Sequence, residues 1–117
     1  MSATVTAEPM LQTELWVSFV SMLRSYAAAA SLHAGDVDVT TAENAVTIVF
    51  GRTHLEMRFD PESSRIVWTK RTGSRLPLDG SFTIAPEGSV RIDGASKDLD
   101  HAAIDFIASV TAGKEGA

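Results

Sequence analysis

Val46–Trp68, VTIVFGRTHLEMRFDPESSRIVW, spells out two complete strands and the opening of a third. Apolar and polar residues alternate through Val46–Phe50, Thr53–Phe59 and Arg65–Arg71, the two-residue period of a half-buried sheet. Gly51-Arg52 suits a two-residue type II′ turn, with glycine where a positive φ is needed. That turn sets Phe50 opposite Thr53, Ile48 opposite Leu55 and Val46 opposite Met57. Asp60-Pro61-Glu62-Ser63 reads as a second turn, with proline fixing φ at its second position. It is expected to pair Met57 with Ile66 and Leu55 with Trp68. A slip of one residue would turn Leu55, Met57 and Phe59 into water, so both turns agree on one apolar side.

Upstream, Val37 and Val39 alternate with Asp36 and Asp38. A four-residue loop, Thr41-Ala42-Glu43-Asn44, would pair Val39 with Val46 and Val37 with Ile48. Before them, Leu11, Leu15, Phe19, Leu23, Tyr26 and Ala30 recur at three- and four-residue steps, and Trp16, Val20 and Ala27 widen that face. The spacing predicts a helix over Glu8–His33, with Pro9 in its first turn, Gly35 as its stop and Met1–Glu8 as a loose leader. Downstream, Thr72–Gly80 has no period, with Leu76 and Leu78 as its expected anchors. Phe82 and Ile84 then pair with Ile92 and Val90 across a loop containing Gly88. Asp93-Gly94 is read as closing that strand. Ser96 or Asp98 caps a second helix, whose apolar stripe is Leu99, Ala103, Phe106, Ile107 and Val110 and whose end is Gly113.

These 117 residues form one domain on length, in the order α-β-β-β-β-β-β-α. Consecutive strands joined by short turns make an antiparallel meander of six strands, with both helices on its one apolar face, an α+β fold. The layout is similar to that of small secretion-chaperone-like and helix-grip-like domains, a likeness of architecture that carries no function.

Composition narrows the chemistry. With no cysteine, disulfides, thiolate catalysis and cysteine-ligated metals are excluded, and no oxidising compartment is required. The net charge of −5 argues against non-specific nucleic-acid binding, although Arg52–Arg75 holds six of the ten basic residues against three acids. No secretory leader is visible. Gln12, Thr13, Glu14, Ser18, Ser21 and Arg24 interrupt the first apolar segment, so no membrane span is expected and the cytoplasm is the default compartment.

The sheet face away from the core should carry Asp36, Asp38, Thr47, Val49, His54, Glu56, Arg58, Val67 and Thr69. His54, Glu56 and Arg58 stand about 7 Å apart along one strand, a possible acid–base row that is more simply the wet face of the sheet. Lys70, Arg71 and Arg75 surround Gly73, where a small anion could bind; a solvated basic loop is the plainer explanation. His101 and Asp105 have the i, i+4 spacing of metal ligands, but no second motif completes a set, so neither metal nor cofactor is expected. G-x-S-x-G, S-x-x-K, H-E-x-x-H, G-x-G-x-x-G and the phosphate-binding loop are absent.

The leading expectation is therefore a non-enzymatic interaction module, a homodimer or the binder of a partner protein, acting through the outer sheet face or an edge strand. The alternative is a carrier of a small hydrophobic or anionic ligand, held between the first helix and the sheet by Trp16, Phe19, Leu55 and Trp68 with Arg75 at the mouth. An enzyme using His54, Glu56 and Arg58 ranks third.

Overall fold

In the computed structural model, residues 2–92 and 94–112 are described, with side chains from residue 11 onward. Helix α1 spans Ser2–Ala34, and seven strands follow: β1 Asp38–Ala42, β2 Ala45–Phe50, β3 Thr53–Asp60, β4 Arg65–Thr72, β5 Leu78–Ile84, β6 Ser89–Ile92 and β7 Ala95–Asp98. Helix α2, Leu99–Ala112, completes the chain. The strands lie side by side in chain order, every neighbour antiparallel. The α+β meander between two helices is thus the observed architecture, with one strand more than expected.

The extra strand is the segment read as the linker and cap of α2. Ala-Ser-Lys-Asp has no apolar alternation, yet it pairs with all of β6, from Ser89 opposite Asp98 to Ile92 opposite Ala95. Asp93 lies outside the described residues, and Gly94 takes the positive φ, +79°, that a tight hairpin turn requires. A short, polar, exposed strand is what a sheet edge tolerates. Ser96 therefore lies inside β7, and Asp98 is the residue directly before α2; Gly113, the expected end of α2, lies outside the described residues. At the other end of the chain, α1 begins earlier than Glu8, at Ser2, and Pro9 lies inside it rather than in its first turn.

The β2–β3 register is the predicted one, with Gly51 at φ +59° in the turn. Two other hairpins differ from expectation by two residues. Val39 faces Ile48 and Thr41 faces Val46, because the chain turns at Glu43-Asn44 with Asn44 at φ +57°. Phe59 faces Ile66, Met57 faces Trp68 and Leu55 faces Lys70, because the β3–β4 loop is Pro61–Ser64. Ser64 closes that loop at φ +57°, and its N–H donates to the Asp60 carbonyl at 2.8 Å. The Asp60 carboxylate holds the loop from within, accepting from the Glu62 N–H and the Ser63 hydroxyl. A two-residue shift keeps every side chain on its own face, so the apolar side survives both differences.

Both helices cover that side. Trp16, Phe19, Leu23 and Ala27 of α1 and Leu99, Ala102, Ala103, Ile107 and Val110 of α2 are buried against Val46, Ile48, Leu55, Met57, Phe59, Ile66, Phe82, Ile84 and Val90. Aromatic rings tie the layers together. Trp16 stacks on Phe59 at 5.4 Å, Phe19 meets Phe82 and Phe106 edge-on at 5.8 and 6.3 Å, and Trp68 meets Phe106 edge-on at 6.1 Å. The Tyr26 hydroxyl donates to the Asp100 carboxylate at 2.8 Å, joining the helices; this bond raises the phenol pKa above its ordinary value. Gly35, at φ +112°, follows the last residue of α1 as expected, and the Ser31 hydroxyl accepts from the Val37 N–H to set the chain toward β1.

One sequence expectation does not hold. Leu76 and Leu78 do not anchor their segment: they are 89% and 58% exposed, Leu76 in the loop and Leu78 at the open end of the sheet. Leu11–Ala34, despite its polar interruptions, is long and apolar enough by composition to cross a membrane, at 24 residues and mean hydropathy 1.2. Core helices and signal sequences meet the same criterion; here 22% of the span is buried, with Trp16, Phe19, Leu23 and Ala27 packed against the sheet and α2.

Gly80 matters for a steric reason. It faces Trp68 across β4–β5, and a Cβ on it would lie 2.7 Å from the Trp68 ring. Gly80→Ala is expected to destabilise the fold by about 1–3 kcal/mol in chemical denaturation, with loss of the near-ultraviolet dichroism of an ordered indole. Unchanged stability and dichroism would show that Trp68 does not lie over β5.

Candidate functional site

The outer face of the sheet carries the polar residues expected there. Thr47, Val49, His54, Glu56, Arg58, Val67 and Thr69 share it with Asp38, while Asp36 precedes β1. His54 lies opposite Arg71, Glu56 opposite Thr69, and Arg58 opposite Val67. Thr47, His54, Glu56, Thr69 and Arg71 outline a shallow hollow of about 230 Å³. Arg58 donates to the Glu56 carboxylate at 3.4 Å, with the two side chains 72% and 48% exposed. Pairs this wet add little to stability. No hydrogen bond joins His54 to Glu56 among the described residues, so the acid–base row is not wired as a relay.

The three cations near Gly73 do not converge. Alternation along β4 sends Arg71 outward beside His54 and Lys70 inward toward the helices, opposite Leu55 and Leu78. Arg75 sits in the loop, its N–H donating to the Thr72 carbonyl at 3.0 Å, and Gly73 rests instead against the Arg52 guanidinium.

Helix α2 has dispersed polar partners. Lys97 of β7 pairs with Asp105, and His101 stands 3.6 Å from Asp98. His101 and Asp105 thus have separate neighbours, and among the described residues no three His, Asp or Glu side chains gather as metal ligands do.

The inward turn of Lys70 defines a second place. Between α2 and the open end of the sheet lies a cleft of about 270 Å³. Leu55, Trp68, Leu78 and Ile92 form its sheet wall, and Ala102 and Phe106 its helix wall. Lys70 closes one end, its ammonium donating to the Ser109 hydroxyl at 2.8 Å and reaching the Ser109 carbonyl at 3.4 Å. Asp105 lies on the rim, paired with Lys97. Ala102 and Ser109 flank Phe106 on the helix side of this space.

The pocket lining expected beneath α1 is divided between two locations. Leu55 and Trp68 line the α2 cleft, with Lys70 in the place foreseen for Arg75. Trp16 borders a different, open groove of about 430 Å³, between α1 and the β1–β2 turn, with Val20 and Arg24 on one side and Thr41 and Asn44 on the other. Phe19 is fully buried in the aromatic core and lines neither.

Ser109, Ala102 and Leu78 were not singled out from the sequence as site residues, and Lys70 was read as part of a loop cluster. Ile66-x-Trp68-x-Lys70 carried the signal: a strand that turns Ile66 and Trp68 inward must turn Lys70 inward too. Compared with known proteins, the chain matches no family model, no curated protein and no solved structure, and the reading of its site rests on its own geometry.

Proposed function

We propose that this protein is a non-enzymatic binding domain that holds a small, largely apolar molecule in the cleft between α2 and the sheet. One observation carries the proposal: apolar walls on two packed elements border a partly open space of about 270 Å³, with Lys70 the one basic residue among its described lining. Binding pockets combine these features, a mostly apolar lining and a few placed polar groups that orient the ligand. A cytoplasmic location belongs to the same proposal, since a core held by burial with no cysteine needs no oxidising compartment.

Ile92→Phe, from a half-buried position on the sheet wall of the cleft, tests it. Filling a real space is expected to leave stability within about 0.5 kcal/mol of wild type and to weaken binding of an uncharged naphthalene dye at least about tenfold. Destabilisation of about 1–3 kcal/mol would mean that the space is already packed, and unchanged dye binding would mean that the ligand sits elsewhere.

A second reading, contact with a second copy or a partner protein, draws on the outer face. Val67, 48% exposed, stands directly opposite Arg58 and next to the hollow around His54 and Glu56, so apolar surface and charges of both signs adjoin. Self-association through this face is expected to give a dimer in light scattering that Val67→Glu returns to monomer. A strict monomer at high concentration removes the homodimer.

A further inference from the structure

Resting on the ligand-binding reading of the same cleft, we infer that its ligand is an amphipathic monoanion, an apolar body of about eight to ten carbons ending in a carboxylate that binds Lys70.

The charge balance of the cleft leads to this class. Among the described residues two titratable side chains of opposite sign line it, Lys70 and Asp105. Asp105 is matched by Lys97, which reaches it from β7. Lys70 is met by neutral oxygens, the hydroxyl and carbonyl of Ser109. These belong to the last turn of α2, whose terminal carbonyls carry partial negative charge, so the lysine also serves as a cap for that helix end. A hydroxyl and a carbonyl dipole satisfy hydrogen bonds without neutralising a full charge. A carboxylate entering the cleft would replace the Ser109 hydroxyl on the ammonium with a charge-assisted bond, stronger than the neutral one it displaces. An alcohol or hydrocarbon would leave Lys70 as it stands and gain only burial. A second negative charge on the ligand would meet Asp105, so one charge is the better fit.

Size sets the body. A dry cavity of roughly 150 Å³ accepts benzene. The cleft, at about 270 Å³, is nearly twice that and partly open, giving room for roughly ten to twelve non-hydrogen atoms. Trp68 and Phe106 meet edge-on at its wall and offer aromatic surface to a chain or a ring alike.

Calorimetric titration of the whole protein with octanoate, octanol and octylammonium separates the possibilities. Wild type is expected to bind octanoate about tenfold tighter than octanol and octylammonium weakest. Lys70→Met is expected to equalise octanoate and octanol, with octanol affinity kept within about twofold. Because Lys70 also caps α2, Ser109→Ala provides a second arm: with the competing hydroxyl gone, octanoate affinity is expected to rise and octanol affinity to stay constant, with circular dichroism unchanged. Octanol binding as tightly as octanoate would overturn the anion inference and leave the apolar cleft standing. A carboxylate preference that persists in Lys70→Met would also overturn it. Failure of octanoate and octanol alike to bind would overturn the ligand-binding reading itself, and this inference with it.

Discussion

The pairing of β3 with β4 is the constraint on which the rest of the structure depends. It sets Phe59 against Ile66, Met57 against Trp68 and Leu55 against Lys70. The first row meets Trp16 of α1 through Phe59, and the second is continued by Gly80, over which the Trp68 indole lies. The third row ends beneath the last turn of α2, where Ser109 takes the lysine. One register thus settles where α1 stacks, where α2 can sit, and which side chains face the space left between α2 and the sheet.

Burial holds this arrangement, and the cleft is its by-product. Phe19 is inaccessible to solvent and touches Phe82 and Phe106, so α1, the sheet and α2 share one aromatic cluster. On the side of α2 that carries Ala102, Phe106 and Ser109, the helix borders the cleft together with Leu55, Trp68 and Lys70 of the sheet. A lysine at that spot is tolerated because its ammonium can reach a hydroxyl and a helix-terminal carbonyl. The same two partners leave its charge open to a stronger acceptor. Structural support for α2 and recognition of an anion are therefore compatible uses of one side chain.

The apolar side of the sheet was legible from alternation, because the two-residue period makes every face assignment depend on all the others. Register was less legible: a shift of two residues preserves every face, and loop conformation alone distinguishes the alternatives. Asn44 and Ser64, both at positive φ, made the choice, and neither is the glycine that usually announces such a position. β7 was missed because Ala95–Asp98 pairs through its backbone and buries no apolar face of its own. The outer row of His54, Glu56 and Arg58 was readable at the level of facing, and its lack of wiring was not, since that depends on side-chain positions across strands. For the cleft, the alternation that turned Trp68 inward already implied Lys70. The size of the space depends on how α2 falls against the sheet, which no local pattern encodes.

The β3–β4 register can be read covalently, since the chain has no cysteine to interfere. Glu56 and Thr69 face each other on the exposed side, whereas the alternative register, shifted by two residues, would place Val67 opposite Glu56. Directly opposed residues fall within disulfide reach, and diagonal neighbours about 7 Å or more apart do not. Under mild oxidation the double variant Glu56→Cys, Thr69→Cys is expected to close a disulfide quantitatively, while Glu56→Cys, Val67→Cys stays reduced. The reverse result would contradict the register, and with it the position of Lys70 at the end of the cleft.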